Sequence, residues 1–130
     1  MQMRILITAA LAYLVYSPLL HAQDAVKVDA THYSVVSENA QVRILRVHYG
    51  AHEKSIMHSH PAAVAVFLTD GKGTFTSPDG KSQDFVVKAG DATYSAATTH
   101  LPENTGDQPF DLIVVELKGK PHKSAKATAK

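Results

Sequence analysis

No cysteine and no tryptophan occur among the 130 residues. The missing thiol excludes a disulfide framework, a cysteine-bound zinc ribbon, a thiol nucleophile and lipid attachment through cysteine. Chemistry therefore falls to histidine, carboxylate or hydroxyl groups. Excess charge of one sign is also missing: 13 Lys plus Arg stand against 12 Asp plus Glu, a balance that excludes the strongly basic footprint of a dedicated nucleic-acid binder. The chain has no Gly-x-Ser-x-Gly elbow, phosphate loop, dinucleotide fingerprint or His-Glu-x-x-His helix. With 45% hydrophobic and 19% charged residues, it has the composition of one folded domain.

A full membrane span is lacking too, although an apolar run opens the chain. Met1 to Arg4 carries one positive charge, Ile5 to Leu20 is apolar, and His21-Ala22-Gln23-Asp24 follows. That order predicts a secretory signal peptide over residues 1–22, cut after Ala22. The 16-residue run contains Ser17 and Pro18 and is short against the ~20 apolar residues of a span. The expected location is periplasmic or secreted, with no stable membrane span after cleavage. Loss of Arg4 leaves 12 basic and 12 acidic side chains. Five of the basic residues (Lys118, Lys120, Lys123, Lys126 and Lys130) sit at the C-terminal end, so Asp24 to Leu117 carries 7 basic against 12 acidic. The expected domain covers residues 23–119. Residues 120–130 are expected to be a disordered basic tail, because Ala, Thr, Ser and Lys without apolar periodicity cannot offset the entropy of ordering.

Between Tyr33 and Leu117 short β-type runs alternate with turn signals, and no segment has a helical period. Val42 to Tyr49 and Phe110 to Leu117 are rich in β-branched residues. Val64 to Thr69 ends at Asp70-Gly71, which predicts a hairpin turn into Gly73 to Thr76. Pro78-Asp79-Gly80-Lys81 and Ala89-Gly90-Asp91 mark two further turns around Phe85 to Val87, and Thr93 to Ser95 follows. Asp70 and Asp79 are expected to cap these turns. The fold class is all-β, a sandwich or barrel.

Of eight histidines, His58 and His60 are separated by one residue. In an extended strand such a pair projects from one face, and two neutral imidazoles on one face can chelate a divalent metal. Gly50, His58, His60, a spacer Pro61-Ala62-Ala63, Val64 and, six residues later, Gly71 follow the register of the first motif of the cupin superfamily. In that motif a glutamate occupies the place of Val64. Gly90, His100 and Asn104 fall near the positions of the second motif, with Ala96 and Thr98 replacing its Pro and Gly. The chain thus resembles small single-domain bacterial cupins.

The resemblance implies a jelly-roll β-barrel in which His58, His60 and His100 converge on a divalent ion (Fe, Mn, Zn, Ni or Cu), and a homodimer. With Val64 in place of a carboxylate, three neutral imidazoles leave the ion at its full charge, which favours a small anionic ligand. An octahedral ion held this way keeps three positions open. The implied function is a metal-dependent oxygenase or isomerase. The alternatives are a non-catalytic module that binds a metal or small ligand, and a metal-free scaffold. No general acid or base beside the histidines stands out, so enzyme and binder both remain open. Candidates for the lost ligand are His48, His52, Glu53 and Glu103. His32 and His122 are read as surface or partly buried histidines with no ligand role, and Phe67 and Tyr94 as barrel-filling aromatics.

Overall fold

The computed structural model describes residues 23–119; the expected signal peptide and basic tail lie outside the described residues. A short helix α1 (Ala25–Val28) precedes β1 (Tyr33–Glu38), β2 (Val42–Tyr49), β3 (His58–His60), β4 (Ala63–Phe67), β5 (Gly71–Thr76), β6 (Ser82–Val87), β7 (Ala92–Ser95), β8 (Thr98–Asn104) and β9 (Phe110–Leu117). One sheet has the order β1-β2-β9-β4-β7 and the other β3-β8-β5-β6. Every strand pair in them is antiparallel. The two sheets form the expected all-β jelly roll.

The spine is the pairing of β2 with β9 over the full run from Val42↔Leu117 to Tyr49↔Phe110. Both strands alternate: Leu45, Val47 and Tyr49 are buried on one, and Phe110, Leu112, Val114 and Glu116 on the other. Their inward faces, with Phe67 and Ala63 of β4, make the core. Each fully buried Leu, Val or Phe side chain contributes about 1.5–3 kcal/mol. Asp24 caps α1 by accepting from the amides of Val26 and Lys27.

Two expected turns form and one does not. Pro78 to Lys81 closes the β5–β6 hairpin: the Ser77 amide donates to the Lys81 carbonyl, and Gly80 takes a φ of 83° that glycine adopts without strain. Gly90, with a φ of 91°, turns β6 into β7. Asp79 caps the first turn through the Lys81 amide, and Asp70 holds the second through the Ala89 amide. Asp70-Gly71, by contrast, is no hairpin. Strand β4 pairs with β7 and β9, and β5 with β6 and β8, so the chain crosses between sheets there. Gly71 is needed because the Phe110 ring would lie 2.9 Å from any Cβ.

Candidate metal centre

Register brings the histidines together. Strand β3 pairs with β8 so that His58 lies directly opposite His100, while His60, two residues on, shares the face of His58. The three side chains therefore occupy adjacent positions on the inner face of one strand pair. Their ligand atoms all lie within 4.8 Å of one another, and His58 and His60 are buried.

Each ring is held by a different contact. The His58 Nδ1–H donates to the Ile56 carbonyl at 2.7 Å. The His60 Nδ1–H donates to Glu116 Oε1, also at 2.7 Å. The His100 ring stacks on Phe75 with an interplanar angle of 3°. With Nδ1 occupied as donor, Nε2 of His58 and of His60 carries the free lone pair. Nε2 of His58 and Nε2 of His100 are buried without any hydrogen-bond partner. Native interiors leave few such atoms unpaired, and a cation would satisfy them. Burial pushes the His58 pKa down to about 4, against a smaller upward pull from the Ile56 carbonyl, and it pushes that of His100 down to about 3, helped by the neighbouring histidines. Both rings are neutral at ordinary pH, as metal ligands must be. The residues present fit a divalent ion.

Behind this corner lies a polar layer. Glu116, 2% exposed, accepts from His60 and from Arg43 Nε at 2.6 Å, and Arg43 Nη2 donates to Asp24. Burial raises the Glu116 carboxyl, but His60 and Arg43 outweigh it and hold it below the usual carboxylate range. Its charge is matched by Arg43. A second group joins buried Asp29 to Ser55 Oγ and to His32 Nδ1, and His32 Nε2 to Glu53. Support of this kind orients ligating imidazoles and raises their basicity.

A family model of the cupin domain matches residues 45–116, more than half of the chain. The chain belongs to the cupin family. Among solved structures its fold is similar to that of a cupin domain from Bordetella pertussis Tohama I, with 21% identity over 67% of this chain and 92% of that one and a TM-score of 0.62. An RmlC-like cupin family protein with a double-stranded β-helix fold from Methanocaldococcus jannaschii is also similar, with 17% identity over 66% of this chain and 78% of that one and a TM-score of 0.55. No curated protein matches.

Against the cupin motifs, the structure moves one residue. Val64 pairs with Tyr94 and Val115, and the alternation of β4 turns Ala63, Ala65 and Phe67 toward the cavity and Val64 away from it. Tyr94, on the same outer face as Val64, is 64% exposed and fills no barrel, whereas Phe67 is buried in the core as expected.

Nor do the four substitute ligands reach the triad. His48 pairs with Asp111, and His52 with Asp107. Glu53 ties its own loop through the Gly50 amide and His32, and Glu103 faces Lys54. His32 lies outside the triad; it stacks on Tyr49 at 4.4 Å and bridges two carboxylates. His122 lies outside the described residues. Asn104 is fully buried; its amide donates to the Gly50 and Gln108 carbonyls and its oxygen accepts from Gly106, so it pins two loops. Glu116 and Arg43 were not singled out in the sequence. The signal for Glu116 is phase alone, since it shares the inward positions of Phe110, Leu112 and Val114.

In this cupin His60 and His100 line a cavity of about 560 Å³. Its deep wall is apolar, built from residues such as Phe67, Phe110, Leu112 and Val114, and its outer rim carries small and polar side chains of β6, β7 and the residues that follow. Tyr33 and Tyr49 also reach it, their hydroxyls sharing a 2.8 Å hydrogen bond. Burial pushes the Tyr33 hydroxyl well above its ordinary pKa and that of Tyr49 up to about 12.

Proposed function

We propose that this cupin is an exported, metal-dependent oxygenase that holds one divalent ion on His58, His60 and His100 and binds a small molecule presenting an anionic oxygen to it. The carrying observation is the cluster of three histidines with ligand atoms within 4.8 Å of one another, the Nε2 atoms of His58 and His100 buried and unpartnered among the described residues, beside a cavity that His60 and His100 line and that is large enough for a substrate. A bound ion supplies Lewis acidity and positions where substrate and a further small molecule meet. Isomerisation by proton transfer calls for a base, and the lining provides none beside the two metal-facing histidines and two tyrosines whose hydroxyls hold their protons. That favours chemistry carried by the ion itself. The same lack of a base favours a second reading, a module that binds without turnover. The leader-like residues 1–22 support export, and the exposed Val35 and Val36 on edge strand β1 support the homodimer.

The deciding experiment is elemental analysis and intact mass of the protein purified from its own compartment. We expect a chain starting at Gln23 and about one first-row metal ion per chain. Changing His58, His60 or His100 singly to Ala lowers metal affinity more than about 100-fold, above the 10–100-fold range of supporting residues, and His52→Ala leaves it unchanged. Full-length mass would remove the export claim; a metal content unaffected by all three changes would remove the site. Dioxygen uptake on substrate addition separates oxygenase from binder.

A further inference from the structure

Among the described residues, no lysine, arginine, aspartate or glutamate lines the cavity; its ionisable side chains are His60, His100, Tyr33 and Tyr49. A ligand charge placed anywhere but on the ion would be buried without a partner, which is strongly disfavoured. The wall beside the metal corner is aromatic. His100 stacks on Phe75 with ring centroids 4.9 Å apart, and Phe75 stacks on Phe85 with centroids 4.6 Å apart and an angle of 23°. The three rings form one stack that begins at a metal ligand, and all three line the cavity. Phe67 and Phe110 close around its far end, each within 6.3 Å of Phe85. Shape and polarity therefore divide the cavity into an anion-accepting corner and an uncharged slot.

Resting on the metal site proposed above, we infer that the substrate class is an apolar and preferably aromatic molecule bearing one chelating pair of oxygens. Its only negative charge is the one that develops on the oxygens at the ion; its body is uncharged and lies against the His100–Phe75–Phe85 wall. Di- and tricarboxylates fit poorly, because their second charge meets phenyl rings. The rim sharpens the point. Thr93, Ser95 and Gln83 line the mouth and are exposed, so small neutral polar groups pass there without an electrostatic filter.

The test keeps the chelator constant and varies the body. The mature protein is loaded with Co²⁺, its metal content is measured, and two hydroxamates are titrated by visible absorption of the cobalt: benzohydroxamate, and the monohydroxamate of succinic acid, which ends in a carboxylate. Affinities are divided by those for free aqueous Co²⁺. Benzohydroxamate is expected to bind about tenfold tighter or more, the scale of burying one phenyl ring. Thr93→Lys, and independently Gln83→Lys, should narrow the difference by giving the carboxylate a partner at the mouth, without changing cobalt content. Equal or tighter binding of the succinyl compound to the unaltered, cobalt-loaded protein overturns the inference and leaves the metal site standing. Failure to hold cobalt at all overturns the metal site, and the inference with it.

Discussion

The two flanks of the barrel are built on opposite plans. On the β3 flank both histidines are buried, and the side chains behind them are joined by charge-assisted hydrogen bonds through Glu116, Arg43 and Asp24. On the β6–β7 flank no residue of β7 is buried, and its inward positions carry Thr93 and Ser95. One flank fixes ligand atoms in place and the other leaves a way in. On the proposed reading this is a division of labour: substitutions on the first flank are expected to act on metal affinity and stability together, and those on the second on ligand choice alone.

The largest expected breach of that division is Glu116→Ala. It removes the acceptor that orients His60 and leaves Arg43 partly buried with one counter-charge fewer, so we expect metal affinity to fall about 10–100-fold and stability by about 3 kcal/mol. Glu116→Gln keeps an acceptor and should lie between the variant and the native chain. Ser95→Ala, on the open flank, should change neither. Calorimetric metal titration and urea denaturation of the three variants measure both quantities. A loss of stability in Glu116→Ala with native metal affinity would show that the carboxylate only supports the fold.

A smaller effect concerns pH. His58 and His100 have pKa values lowered by burial to about 4 and about 3, against an ordinary 6.5. As pH falls below about 6.5 the unfolded chain takes up these protons before the folded one does, so the metal-free fold loses stability with falling pH. The contribution of these two rings levels off once they titrate in the folded chain as well, at about pH 3–4, where carboxylates held low, such as Glu116, take over the loss. Denaturation midpoints of metal-free protein measured from neutrality to about pH 4 should decline, and His100→Ala should flatten the slope. A pH-independent midpoint would contradict the burial of these rings as neutral groups.

The smallest effect is expected at Val64→Glu. The side chain is directed outward beside exposed Tyr94, so the new carboxylate reaches solvent and metal affinity stays unchanged, with a stability loss of about 1 kcal/mol or less. Metal affinity tightened by this change would return the position to the inside of the barrel. Thermal midpoint and metal titration together decide it.

What could be read from the sequence follows from how strongly each element repeats a pattern. Strands β2 and β9 were legible because β-branched residues alternate over eight positions. The histidine pair was legible because one intervening residue in a strand fixes a common face. Strand β8 was not: its inward set is Thr98, His100, Pro102 and Asn104, which has no apolar periodicity, and Pro102 discourages a strand assignment. The crossover at Asp70-Gly71 mimics a hairpin because local turn chemistry is silent about which sheet receives the next strand. The motif register points Val64 inward, but the alternation of β4 turns it outward, because position in a motif does not fix the face a strand residue takes and a shift of one residue reverses it. The polar layer was hidden for another reason: Asp24, Arg43 and Glu116 are far apart in the chain and meet only through tertiary packing.

That layer also gives the start of the barrel an unexpected stake in its chemistry. The Gln23 carbonyl accepts from the Ser59 amide, between the two histidines of β3, and Asp24 anchors the guanidinium that steadies Glu116. The first residues after the anticipated cleavage point thus act as a latch on the metal corner. Trimming the chain to begin at Ala25 would spare every strand and still release that latch, so the proposed metal site is expected to hold its ion less firmly in the trimmed chain.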